Sequence, residues 1–232
     1  MKNKSNGFTL IELLVVVTII GLLVAILSPA IRSALSRGRA ATCQSNVRKN
    51  SMILLDIARD NSGWLTVFRD GSGGFNERSF YMIGDRYYEG LERPRYSPEL
   101  QKTMHCPEMR RPTTPFLECY GVNFASNPSI NATWSITSQS GANLAALRVD
   151  AIDAPAQFPL LMDSLAPDGK EVYRVNHSSN FPALRHSRQC NSAFADGHAA
   201  GVSLGEMASY QITKVYLWRG VGDYSVEQVP AP

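Results

Sequence analysis

The sequence predicts an α+β protein in which one long N-terminal helix packs on a small, mostly antiparallel β-sheet head. Three observations predict it. Residues 8–60 read as helix throughout, interrupted only by Gly21, Pro29 and Gly38. At Gly63 the composition changes, and Gly, Pro, Asn, Ser and aromatic residues rise while apolar runs shorten. Those short runs are separated by turn-forming residues, which is the pattern of strands and loops. A length of 232 residues accommodates one globular domain and an additional element. With 44% hydrophobic and 19% charged residues, most of the chain is globular. A net charge of +3 without a long basic run argues against a nucleic-acid partner.

The first element holds the most information. Residues 13–31 carry no charged side chain. At about 1.5 Å per helical residue, this run approaches the ~30 Å hydrocarbon thickness of a bilayer. Lys2 and Lys4 precede it, which favours a cytoplasmic N-terminus and places the remainder across the membrane. If residues 1–7 were removed, those two lysines would go too, and the charge would fall from +3 to +1. An ordinary secretory signal needs a small-residue cleavage site, and Ala25 and Ala30 beside Pro29 and Arg32 make a poor one. An uncleaved anchor explains the apolar run but not Glu12, because a carboxylate at the edge of the bilayer is costly without a partner. Cleavage after Gly7 would put a new α-amine on Phe8, about one helical turn from Glu12. That pair, within one subunit or between neighbours, can set the stagger of an assembling bundle.

The stretch Gly7-Phe8-Thr9-Leu10-Ile11-Glu12, followed by the apolar helix, closely resembles the class III signal of type IV prepilins and type II secretion pseudopilins. The resemblance implies a pilin-like fold, cleavage between Gly7 and Phe8 by a prepilin peptidase, N-methylation of Phe8, and a role for Glu12 in assembly. Pro29 falls where many pilins carry a helix-kinking proline. In these terms residues 1–7 are a leader, 8–31 the membrane and assembly half of the helix, 32–60 its amphipathic half, and 61–232 the head. The implied partners are other pilin or pseudopilin subunits, the prepilin peptidase, an inner-membrane assembly platform and membrane lipid. The implied location is the inner membrane, single-pass, with the head in the periplasm, and then a periplasmic or extracellular filament.

Pro29 removes a helical hydrogen bond and crowds the preceding turn, so a kink or local melting between Gly21 and Pro29 is expected. Beyond it, Val47, Ser51, Leu54, Leu55 and Ala58 recur at helical spacing, with Arg37, Arg39, Arg48, Lys49 and Arg59 opposite. Residues 60–63, Asp-Asn-Ser-Gly, are a helix stop. Strands are expected at 122–124, 134–136, 158–162, 172–175, 192–195 and 215–218. Residues 70–74 read as a flexible turn, 93–115 as a Pro-punctuated loop, 144–152 as a short helix, and the tail from Val229 as a frayed end.

The four cysteines, Cys43, Cys106, Cys119 and Cys190, form no C-x-x-C pair, which argues against a zinc ribbon or a thioredoxin-like motif. In an exported chain they permit two disulfides. Cys106–Cys119, stapling a Pro-rich loop, is the favoured pair, and free buried thiols are the alternative.

A second motif runs from His186 to Asp196-Gly197, with nine residues between the histidine and the aspartate. It resembles the H-x9-D-G element of a pilin-like family abundant in planctomycetes, verrucomicrobia and their relatives. Cys43 through Val47, Cys106-Pro107, Tyr120 through Asn123 and Leu160 through Asp163 fit that family more loosely. Asp196-Gly197 is a strong turn signal, and the plain reading is a His186–Asp196 contact that fixes a hairpin. The functional reading is a cation site built from Asp196 with Asp163 or His198. The pseudopilin resemblance brings in calcium, although two carboxylates fall short of its six to eight oxygen ligands. A zinc site from His186, His198 and Cys190 lacks regular ligand spacing. No other cofactor is expected.

Catalysis is not expected. No phosphate loop, dinucleotide glycine pattern or serine elbow is present, and His105 beside Cys106 is adjacency rather than geometry. Two functions remain. The first is a structural subunit of a type II secretion pseudopilus or related type IV filament. The second is a membrane-tethered, adhesin-like binding module whose head would use Trp64, Trp134 and Trp218.

Overall fold

The computed structural model describes residues 9–71, 74–76, 83, 98–109, 118–123, 134–139, 142–176, 179–220 and 222–230. Gly7, Phe8, most of the 93–115 loop and the last two residues lie outside this set. The chain divides into two compact units, with the boundary between Gly38 and Arg39.

Helix α1 spans Leu10–Asp60 and is unbroken through Gly21 and Pro29. In the first unit its large apolar side chains, from Leu10 to Leu35, are all exposed. In the second unit the helix buries Cys43, Val47, Asn50, Ser51, Leu54, Ile57 and Ala58. The spacing of three, four and seven residues keeps these side chains on one face. Leu55, expected on that face, is only half-buried, and Cys43, Asn50 and Ile57 take the remaining inward positions. The helix ends as expected. The Gly63 amide donates to the Ala58 carbonyl at 2.8 Å, with Gly63 at φ +85°. A side chain at Gly63 would also strike the Asp150 carboxylate.

Among the described residues, the head contains three sheets. The first joins β1 (Trp64–Gly71), β2 (Gly74–Asn76), β4 (Trp134–Gln139) and β5 (Ala142–Arg148), in the order β2-β1-β5-β4. The second joins β3 (Gly121–Asn123), β6 (Pro159–Met162), β8 (Arg174–Val175), β10 (Gln189–Phe194) and β11 (Ala199–Ser203), in the order β11-β10-β6-β3-β8. The third joins β7 (Ser164–Leu165), β9 (Phe181–Leu184), β12 (Lys214–Gly220) and β13 (Asp223–Gln228), in the order β13-β12-β9-β7. Pairing is antiparallel except for β12 with β9 and β3 with β8. The expected strands at 122–124, 134–136, 158–162, 172–175, 192–195 and 215–218 fall on β3, β4, β6, β8, β10 and β12.

The short helix expected at 144–152 is instead β5 followed by a 3-10 turn, Val149–Ala151. Its sequence pairs with β1 through Leu65↔Leu147 and Thr66↔Ala146, and Leu147 is fully buried. A partner strand 80 residues away in sequence overrides the local preference. The tail is also held further than expected, because the Val229 amide donates to the Thr213 carbonyl at 2.9 Å.

The second half of α1 docks through both apolar and amide groups. Val47 and Leu54 join Leu65, Leu100, Tyr120 and Leu161 in one core. Helix α2 (Pro98–Met104) ends beside it, and the Lys102 and Thr103 carbonyls accept from Asn46 Nδ2 at 3.1 Å and Asn50 Nδ2 at 2.7 Å. Carbonyls at a helix C-terminus have no intrahelical donor, so these amides complete them.

Candidate functional site

Thr9 precedes α1, and Glu12 lies in its first turn. The Thr9 amide and Oγ1 donate to Glu12 Oε2 at 2.9 and 2.6 Å, while the Glu12 amide donates to Thr9 Oγ1 at 3.3 Å. This reciprocal arrangement is a capping box, formed where a Thr stands three residues before a Glu. It turns the carboxylate toward the N-terminal end of the helix, whose free amide groups favour negative charge. Sequence reasoning gave Glu12 an assembly role and overlooked this local one, although Thr9-Leu10-Ile11-Glu12 carries the signature.

The second candidate lies inside the head, where five segments separated in sequence converge on one buried polar cluster. Cys43 comes from α1, His105 and Cys106 follow α2, Asp163 links β6 to β7, Glu171 precedes β8, and Arg185-His186 follows β9. Asp163 is fully buried and fully engaged. Its Oδ1 accepts from Cys43 Sγ at 3.3 Å and from Arg185 Nη1 at 3.0 Å, and its Oδ2 accepts from the Asn191 amide at 3.1 Å. Arg185 Nη1 also donates to Glu171 Oε1 at 2.9 Å, and its Nη2 donates to the Ser164 carbonyl. Glu171 accepts from the Cys106 amide at 3.2 Å and faces His105 Nδ1 at 3.3 Å. His186 Nε2 lies 3.2 Å from Cys106 Sγ and 3.6 Å from Asp163 Oδ2. Tyr120 closes the cluster, donating its hydroxyl to the His105 carbonyl at 2.9 Å and to Cys43 Sγ at 3.4 Å.

Burial and charge act in opposition here. Burial pushes the Cys43 thiol well above its ordinary value. Burial also raises Cys106, but the Cys43 and His186 contacts and the Arg185 charge outweigh it and leave that thiol lowered. For Asp163, burial outweighs the Arg185 and His186 charges, and the carboxyl is raised. His186 loses by burial and gains more from Cys106 and Asp163, which raises it. Burial raises the Cys190 thiol as well.

The motif residues separate. His186 and Gln189 close a two-residue turn, with Ser187 and Arg188 at φ 54° and 65°. Asp196-Gly197 sits at the far end of β10, in the connection to β11. Five strand steps from Gln189 to Phe194 span roughly 17 Å. The nine intervening residues therefore measure a turn and a strand, and the expected His186–Asp196 contact is not made. Asp163 is the carboxylate that faces His186. Asp196 Oδ1 instead accepts from the His198 amide at 3.1 Å and meets His198 Nδ1 at 2.6 Å. Gly197 stands at φ +89°, a conformation glycine adopts freely. The turn borders an open groove of about 650 Å³ with Arg48, Lys49, Met52 and Ile53 of α1.

Of the residues expected around a cation, Asp196 and His198 meet at the hairpin tip, whereas Asp163 is buried in the separate polar cluster. Cys106 is not joined to Cys119. All four cysteines are free and buried, and Cys106 turns its sulfur to His186. Arg185 and Glu171 were not anticipated. The one local hint is an arginine immediately after the apolar run Phe181–Leu184.

A helix that is apolar and exposed over its first unit, and that packs its second half on antiparallel and mixed sheets, defines an α+β architecture consistent with a pilin-like fold. Residues 2–28 match the family described as Prokaryotic N-terminal methylation motif. That motif indicates a prepilin-type processed subunit. No curated protein and no solved structure matches the chain.

Proposed function

We propose that the chain is a structural subunit of a type II secretion pseudopilus or a related type IV filament. On this reading it is cut after Gly7, methylated at Phe8, held in the inner membrane and then polymerised through the first half of α1. The observation that carries the reading is the match of residues 2–28 to the methylation motif. Geometry around Glu12 supports it. A carboxylate already drawn to the Thr9 amide lies at the helix end where cleavage would create a positive α-amine on Phe8. Subunits then pass from lipid into the polymer as apolar helices exchange lipid contacts for one another. A neighbour's Phe8 amine meets Glu12 and selects the docking position. The subunit is not catalytic.

The adhesin-like alternative draws less support. Trp64 and Trp218 are half-buried, and each ring already lies about 5.9 Å from an arginine guanidinium, Arg148 and Arg185 respectively. The side chain of Trp134 lies outside the described residues.

The test is the Glu12→Ala variant in a host that exports and processes prepilins. N-terminal sequencing should find Phe8 first in both forms, and electron microscopy should find filaments only with Glu12. Filaments of normal abundance from the variant would overturn the assembly role, and an intact Met1 would overturn the processing.

A further inference from the structure

We propose that Cys43, Cys106, Asp163 and His186 form a structural zinc site that fastens the second half of α1 to the head. The four residues come from separate segments, and their ligating atoms all lie within 4.8 Å of one another, with every side chain buried. Two sulfurs, one imidazole and one carboxylate are a donor set that favours zinc in tetrahedral coordination. Calcium and magnesium prefer oxygen and would be poorly served by two thiolates.

The spacing can be tested against ordinary bond lengths. Zinc–sulfur bonds of about 2.3 Å and zinc–nitrogen or zinc–oxygen bonds of about 2.1 Å fix the edges of a tetrahedron. Those edges are about 3.8 Å between sulfurs, about 3.6 Å from sulfur to nitrogen or oxygen, and about 3.4 Å from nitrogen to oxygen. The chain places Cys106 Sγ 3.2 Å from His186 Nε2, Cys43 Sγ 3.3 Å from Asp163 Oδ1, and His186 Nε2 3.6 Å from Asp163 Oδ2. Each distance is within a few tenths of an ångström of an edge length, and because Cys43 faces Oδ1 and His186 faces Oδ2, a turn of the Asp163 carboxylate is needed for one oxygen to serve both. The remaining donor pairs lie within 4.8 Å of one another, so side-chain adjustments of about an ångström would close the tetrahedron.

The surrounding residues suit a metal as well. Two thiolates and one carboxylate on a dication leave one negative charge, and the buried Arg185 guanidinium, which Asp163 shares with Glu171, lies 3.0 Å from Asp163 and offsets part of it. Arg185 and the Asn191 amide hold the Asp163 carboxylate in place, and the Tyr120 hydroxyl donates to the Cys43 sulfur. Such outer partners orient ligands and tune their basicity. His186 offers Nε2 to the site, and its buried Nδ1 has no partner among the described residues. Binding one ion would tie α1 to the segment after α2, the β6–β7 junction and the turn before β10. Metal binding of this kind contributes directly to folding.

The experiment uses the full chain extracted in detergent under non-oxidising conditions. Elemental analysis after zinc reconstitution should find about one zinc per chain. Cys43→Ser and Asp163→Asn should fall to background, and Cys119→Ser, which alters a buried thiol outside the cluster, should keep the metal. If the ligand variants do not fold, the wild-type chain still decides the matter. Chelation should lower its Tm, zinc should restore it, and cobalt should give the visible bands of a tetrahedral site with thiolate-to-metal charge transfer. Zinc retained by Cys43→Ser, no metal in the wild-type chain, a cobalt spectrum without thiolate bands, or a Cys43–Cys106 disulfide on peptide mapping would each overturn the proposal.

Discussion

The two parts of α1 obey opposite rules. From Leu10 to Leu35 every large apolar side chain is exposed, and beyond that stretch only Met52 and Val226 are exposed among the large hydrophobics of the described residues. From Cys43 to Ala58 the helix is instead amphipathic, and it mixes apolar burial with Asn46, Asn50 and Cys43 contacts to specific head groups. The first part can exchange neighbours freely, because lipid and another apolar helix offer it similar surroundings. The second part is fixed to one partner, since a buried amide or carboxylate separated from its partner is costly.

The largest effect should come from separating buried charge. Arg185→Met leaves Asp163 and Glu171 without their shared cation and should cost about 3–5 kcal/mol of head stability, read from urea unfolding of the detergent-solubilised chain by Trp fluorescence. Next, Leu54→Ala should cost about 2–5 kcal/mol in the same assay, because Leu54 is fully buried in the α1 core. Leu23→Ala, 60% exposed, should change it by no more than about 0.5 kcal/mol. Equal losses for Leu54→Ala and Leu23→Ala would erase the contrast between the two parts of the helix.

Gly63→Ala should cost about 1–3 kcal/mol, since positive φ and the Asp150 carboxylate both oppose a side chain at the helix stop. A smaller effect tests the far end of the head. Ser203 and Glu206 form a capping box on the short helix α3 (Leu204–Met207), and Ser203→Ala should cost about 1 kcal/mol. The Ser203 hydroxyl and amide hold the Glu206 carboxyl below its ordinary value. The stabilisation is therefore present above the unfolded-state value of about 4.3 and is lost as pH falls through the lower folded value. Protection factors of the α3 amides, referenced to the intrinsic exchange rate at each pH, should fall in acid in wild type and lose that pH dependence in Ser203→Ala.

Much of the fold was legible because it is locally encoded. The apolar run, the 60–63 helix stop and six of the strands follow from periodicity and turn chemistry. The strand at 142–148 was misread as helix because its preference is settled by pairing with β1. The site was legible only as separate residues. Cys43, Cys106, Asp163 and His186 each stood out, but they lie up to 143 positions apart in sequence, from Cys43 to His186. No spacing rule joins such positions.

The sequence by itself determined the N-terminal element, because Gly7, Phe8, Glu12 and the uncharged run after them are contiguous, and their chemistry needs only a helix and a membrane. Tertiary structure decided what His186 faces. The H-x9-D-G spacing turned out to be the length of a turn and a strand, which carries His186 away from Asp196. The crossing of α1, the β6–β7 junction and the turn before β10 then brings it to Cys106 and Asp163. Contacts between distant segments depend on how sheets and helices stack, and that information resides in the packed core rather than in any single stretch of chain.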